Sequence, residues 1–229
     1  MSEMVQLKAQ DGVACPAYVA RPAAKALGAV VVLQEIFGVN SHIRSVADGF
    51  AEQGYLAIAP HAFHRVQVGL ELGYGAEDVA KGRALKAAAE ALPGPGVMAD
   101  IASAIAFGTN DTGGKVAVVG YCWGGLLVWR SACTLPGLSA AIAYYGGGMT
   151  ADAEVARQSL CPVMCHFGEQ DHAIPMDGVK AFALAQPKVE VHTYAAQHGF
   201  NCDQRGAYDA AAAALAQERT LGFLARYLA

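Results

Sequence analysis

Charge is scarce in this 229-residue sequence, with 16% of residues charged against 54% hydrophobic. The basic residues are scattered, no stretch forms a basic stripe or block, and the net charge is −4. Neither nucleic acid nor an anionic membrane surface is therefore an expected partner. Arg130, Pro136 and glycine clusters cut the longest apolar runs, so none reads as a transmembrane span. The opening MSEMVQLKAQDG lacks a basic patch followed by an apolar core. A secretory leader is not expected, and a cytoplasmic location is. There the six cysteines, Cys15, Cys122, Cys133, Cys161, Cys165 and Cys202, are expected as free thiols despite their even number. Internal repeats are absent, and Pro93-Gly94-Pro95-Gly96 is too short for a flexible linker. The chain reads as one domain over residues 1–229.

What the sequence does have is concentrated at Lys115 to Arg130, KVAVVGYCWGGLLVWR. Val116 to Val119 form an unbroken, mostly β-branched run, the pattern of a strand covered on both faces of a parallel sheet. Gly120-Tyr121-Cys122-Trp123-Gly124 follows with the G-x-S-x-G spacing of a nucleophile elbow, cysteine standing in the serine position. Leu126 to Trp129 continue as an apolar helix. The helix start behind the thiol would offer free N–H groups and a positive field, which favour a thiolate and an oxyanion. A buried structural cysteine fits the same local pattern.

Along the chain, residues 4 to 8 and 13 to 19 alternate around Asp11-Gly12 and predict an antiparallel two-residue hairpin. Gly28 to Gln34 is a buried strand that stops at Glu35, a carboxylate placed either at the strand end where ligands of parallel sheets bind or on a loop facing solvent, with the site favoured. Ser41 caps a predicted helix to about Gln53, ended by Gly54, and Tyr55 to Ala59 are the next strand. The loop Pro60 to Gly75 carries His61, His64 and Arg65, and without helical pattern the two histidines predict no metal site. Helices are predicted for Ala76 to Leu92 and Val97 to Phe107. Leu138 to Tyr145 and Pro162 to Phe167 are strands, with a weak helix within Ala151 to Leu160 between them and a second from Pro175 to Ala185. Val189 to Tyr194 is the last strand, and Arg205 to Tyr227 the closing helix. This alternation predicts an α/β fold: a mostly parallel sheet, an N-terminal antiparallel hairpin and helices on both faces.

Two further strand ends carry what a thiol nucleophile needs. Gly168-Glu169-Gln170-Asp171 turns away after Phe167, and His198 follows Tyr194. Cys122, Asp171 and His198 give the order nucleophile, acid, base, which is the chain order of α/β-hydrolases. Asp171 also suits an ordinary turn, with Glu169 and Asp177 as rivals for the acid. His166, His172 and His192 compete for the base, but His166 and His192 lie inside strands and read as structural.

At this point the chain resembles the dienelactone hydrolases, a branch of the α/β-hydrolases with a cysteine nucleophile. The resemblance rests on Gln34 to Asn40, Gly120 to Gly125, Tyr144-Tyr145-Gly146, Gly168 to His172, His198-Gly199-Phe200 and Glu218 to Leu221, in the family order. It implies that Cys122 attacks a lactone or ester carbonyl, His198 shuttles the proton and Asp171 orients the imidazole. Glu35 would be the family's extra carboxylate, accepting or holding the thiol proton. The backbone N–H groups of Ile36 and Trp123 would form the oxyanion hole. No metal or organic cofactor is implied. Phe37, Arg83, Tyr145, Phe200 and Arg205 become candidate substrate contacts. Family members bind a substrate carboxylate with two arginines, one of which falls here on Cys202, with Arg205 three residues on; the other falls among Lys81, Gly82 and Arg83. The expected partner is a small lactone or ester, and the expected form a monomer, with a homodimer as the alternative. Competing readings are a thiol redox protein using Cys161, Cys165 and Cys202, or a non-catalytic binding module on the same fold. The spacing of Cys161 and Cys165 is not the redox C-x-x-C.

Overall fold

The computed structural model describes residues 1–228. Its centre is an eight-stranded sheet in the order β1-β2-β4-β3-β5-β6-β7-β8. β1 (Ser2–Lys8) and β2 (Ala14–Ala20) form the antiparallel edge, with β2 antiparallel to β4 (Leu56–Pro60). From there β3 (Ala29–Leu33), β5 (Val116–Tyr121), β6 (Leu138–Tyr144), β7 (Val163–Gly168) and β8 (Glu190–Tyr194) run parallel to one another and to β4. Every residue of β3, β4, β5 and β7 is buried, as their continuous apolar runs demand of strands covered on both faces. The covering helices are α1 (Ser41–Glu52), α2 (Ala76–Glu90), α3 (Val97–Thr112), α4 (Trp123–Thr134), α5 (Asp152–Val155), α6 (Met176–Ala185) and α7 (Ala210–Leu228). This is the expected α/β architecture. Among the described residues no helix is long and apolar enough to cross a membrane.

The boundaries differ from the sequence reading where side chains intervene. The hairpin loop has three residues rather than two, because Gly12 N donates to Ala9 O and Ala9 N to Val13 O, both at 2.9 Å. Asn40, not Ser41, caps α1: its side-chain oxygen accepts from Ile43 N at 3.2 Å, leaving Ser41 as the first helical residue. α3 runs on past Phe107, with the Thr109 and Thr112 hydroxyls bonded back to Ile105 O and Gly108 O. The helix expected within 151–160 shrinks to the single turn of α5. α7 starts at Ala210 rather than Arg205, where Asp209 Oδ1 accepts from Ala212 N at 2.9 Å. The stretch before it is thereby freed to fold over the carboxyl ends of the strands.

Candidate active site

The central strand β5 delivers Cys122 at its carboxyl end, and α4 begins at the next residue. Cys122 has φ 55° and ψ −114°, a left-handed region that costs a side chain about 1–3 kcal/mol and is held only by surrounding structure. Here Cys122 N donates to Tyr144 O at 3.0 Å, and Gly125 N donates back to Cys122 O at 3.0 Å. Gly124 lets the turn close, since a Cβ there would overlap the carbonyl oxygens of Leu33 and Gln34. That contact brings the end of β3, and so Glu35 and Ile36, against the elbow. Trp123 N–H opens α4 and has no intrahelical acceptor. Its indole is stacked on Phe63 at 4.9 Å and bonded through Nε1 to Glu90 at 3.2 Å.

The ends of β7 and β8 bring Asp171 and His198 together. Asp171 is buried, its Oδ1 accepts from Ala173 N at 2.8 Å and Ile174 N at 3.2 Å, and its Oδ2 meets His198 Nδ1 at 2.6 Å. This leaves Nε2 of His198 toward the thiol. Burial opposes the charge on His198, yet hydrogen bonding to Asp171 and to Cys122, with the charges of both, raises its pKa to about 10. Glu169 instead accepts from the Thr193 hydroxyl at 2.7 Å, and Asp177 is fully exposed on α6. Neither rival carboxylate joins His198.

Glu35 is 1% exposed, and its Oε1 accepts from Arg205 Nη1 at 2.9 Å, while Oε2 has no partner. Arg205 lies with its guanidinium 5.7 Å from the rings of both Phe37 and Tyr74. Gly199 makes room for it, because a Cβ there would overlap the guanidinium. Tyr145 is the second non-glycine residue at positive φ, 37°. It is fully buried, its ring 5.1 Å from His198 and 5.3 Å from Phe200, and its hydroxyl has no partner. Phe200 is also fully buried, among Tyr144, Tyr145 and Tyr194, where it backs Tyr145 and offers no surface to a ligand. Arg83 is exposed on α2 and has no hydrogen-bond or ion-pair partner among the described residues. Of the two candidate guanidinium groups, Arg205 reaches the Glu35 side of the site. Tyr74, in the irregular stretch before α2, carried no sequence signal and is brought in by Phe37 at 4.6 Å and by Asn40 at 3.1 Å.

Burial disfavours the thiolate form of the other cysteines. Burial pushes Cys133, Cys161 and Cys202 up to about 11 and Cys15 up to about 12, and it raises Cys165 as well. His166 and His192 lie in β7 and β8; His166 sits between Tyr194 at 2.8 Å and Thr220 at 3.1 Å. His64, on the 60–75 loop, lies 3.6 Å from Asp100, a carboxylate that Arg65 holds through both oxygens. A cavity of about 350 Å³ lies between α1 and α7; His42 and Tyr121 line it, and none of Cys122, Asp171 and His198 does.

The model of the dienelactone hydrolase family matches residues 15–228. The carboxymethylenebutenolidase of Pseudomonas putida is 32% identical over 231 residues, which cover 98% of this chain and 97% of that protein. A crystal structure from Klebsiella pneumoniae assigned to the dienelactone hydrolases superposes with a TM-score of 0.82 at 30% identity, covering 99% of each chain. A dienelactone hydrolase-like promiscuous phosphotriesterase from metagenomic libraries shares the fold, with a TM-score of 0.75 at 21% identity and coverage of 99% and 98%.

Proposed function

Since the chain belongs to the dienelactone hydrolase family and is a carboxylic ester hydrolase of lactone or ester type, we propose that it works through Cys122, His198 and Asp171 by way of an acyl-thioester. Cys122 gives its thiol proton to His198 as Sγ adds to the substrate carbonyl, and the oxyanion is met by the N–H groups of Trp123 and Ile36. Collapse breaks the carbonyl–oxygen bond, the alkoxide takes the proton of His198, and the acyl group stays on sulfur. Water then adds to the thioester, giving its proton to His198, and the acid leaves with the thiol restored. Asp171 keeps the imidazole oriented with Nε2 toward the reacting atoms. Glu35 serves the thiol through Oε2, the oxygen that Arg205 leaves without a partner. No step needs a metal or an organic cofactor.

The observation that carries this reading is the 2.6 Å contact of His198 with Asp171 beside a cysteine held at φ 55°. The strained Cys122 follows β5, and the tightly bonded pair follows β7 and β8, all at the same carboxyl edge of the sheet with β6 between. For substrate, Arg205 is the cation within the site, and a substrate carboxylate must compete with Glu35 to reach it. Turnover of dienelactone and of a neutral p-nitrophenyl ester, measured on wild type, Cys122→Ala and Arg205→Gln proteins, tests both points. Loss of both activities in Cys122→Ala supports the nucleophile; full ester turnover by that variant refutes it. Dienelactone turnover lost selectively in Arg205→Gln assigns the carboxylate to Arg205, and equal effects on both substrates point to neutral acyl compounds.

A further inference from the structure

Behind Glu35 stand His42 and Cys202, two side chains that the hydrolytic reading leaves unused. One ligand atom each from Glu35, His42 and Cys202 lie within 4.8 Å of one another, and all three residues are buried. Glu35 Oε2 has no partner, and neither does Nε2 of His42. Nδ1 of His42 is taken by Asp203 Oδ1 at 3.3 Å. A histidine whose one nitrogen is held by a carboxylate while the other is bare has the arrangement of a metal-ligating imidazole. Cys202 is fully buried and interacts with the Tyr74 hydroxyl.

Sulfur, nitrogen and oxygen donors together suit a thiophilic divalent cation of the zinc class. Tetrahedral bonds of about 2.0–2.3 Å put ligand atoms roughly 3.3–3.7 Å apart, so atoms that lie within 4.8 Å of one another must draw in by at most about 1.5 Å. We propose that Glu35, His42 and Cys202 form an inhibitory site for a zinc-class cation, which takes Glu35 Oε2, His42 Nε2 and Cys202 Sγ and leaves a fourth position to water. Binding releases the Cys202 thiol proton to solvent as the S–metal bond forms. One carboxylate, one thiolate and Arg205 bring a net charge of −1, so the occupied site holds a single excess positive charge. Arg205 keeps Oε1, on the other side of the carboxylate. His42 and Asp203 line the cavity between α1 and α7, and Cys122 does not.

The other buried trio, Cys15, His64 and Asp100, makes the contrast. There Arg65 holds both Asp100 oxygens at 2.8 Å and the His61 carbonyl takes His64 Nδ1 at 2.8 Å, so no carboxylate oxygen is spare.

The inhibitory effect rests on the reading that Glu35 serves the thiol, and the test separates the two. In Cys122→Ser protein stripped with a chelator, Co²⁺ is expected to bind one equivalent and give a thiolate-to-cobalt charge-transfer band in the near ultraviolet, displaced by Zn²⁺. The band is expected to vanish in the Cys202→Ala and Cys202→Ser versions, and His42→Ala to weaken binding by about tenfold or more. In wild type, one equivalent of Zn²⁺ is expected to suppress ester hydrolysis reversibly, whereas Cys202→Ala keeps its metal-free rate. No band, or a band that survives loss of Cys202, overturns the site and leaves the role of Glu35 standing. Cobalt bound through Cys202 with hydrolysis unimpaired upholds the site and overturns the role of Glu35.

Discussion

Arg205 and Glu35 lie 170 positions apart in the chain and meet at 2.9 Å, the guanidinium donating to a carboxylate that is almost wholly enclosed. An enclosed carboxylate deprived of its cation is costly, whereas losing both partners costs less.

Arg205→Gln is therefore expected to lower the unfolding free energy by about 3 kcal/mol, and adding Glu35→Gln to restore much of that loss. Urea unfolding of the two single variants and the double variant measures the coupling directly. Additive losses would mean that the pair is too well solvated to matter.

Asp171→Asn keeps an oxygen for the Ala173 and Ile174 N–H groups but turns a donor toward His198 Nδ1, favouring the wrong tautomer. The fold is expected to persist while kcat falls by about 10³–10⁴-fold. Circular dichroism and steady-state ester kinetics on one preparation separate the two effects.

His198 has a folded-state pKa of about 10, above the ordinary histidine value of 6.5. The folded protein thus holds this proton more tightly than the unfolded chain. The stability it contributes is complete below about pH 6.5 and is lost as pH rises from there through 10. Melting temperatures of wild type are expected to fall across that window, and those of His198→Gln to fall less. Parallel curves for the two proteins would count against the assignment.

Alkylation offers an independent check on the nucleophile. Burial holds Cys15, Cys133, Cys161 and Cys202 at about 11–12 and raises Cys165 too. Iodoacetamide at neutral pH is expected to modify Cys122 first, with loss of activity tracking one equivalent of label by peptide mass analysis. Prior labelling of Cys133, the other partly accessible thiol, would contradict this.

The features that local pattern reveals were legible in the sequence. A β-branched run followed by G-x-C-x-G gives β5, the elbow and α4, because glycine spacing and burial on both faces leave their mark within sixteen residues. Asp171 and His198 were readable for the same reason, each just past an apolar strand. Arg205 came forward only through the family resemblance: the alanine-rich pattern of α7 extends backward over it, and nothing nearby reveals that Asp209 starts the helix later or that its partner is Glu35. Asn40 displaced Ser41 as a cap through a hydrogen bond that either side chain could make. Tyr74 and His42 gain their places from contacts across the fold, which periodicity does not encode, and Phe200 reads as a site residue by position while its ring belongs to the core.

The sheet order itself separates the machinery into parts of unequal durability. β5 has four strands on one side and three on the other, whereas Asp171 and His198 hang from the last two strands, and β8 is an unprotected margin with only one of its five residues buried. Local opening begins at such margins, at free energies below that of global unfolding. Both tryptophans, Trp123 and Trp129, sit on α4 beside the central strand. As denaturant rises, hydrolysis should thus fade while tryptophan emission still reports an intact centre, and amide exchange should be fastest in β8. The molecule would then pass through a state that keeps Cys122 in place and has already released His198.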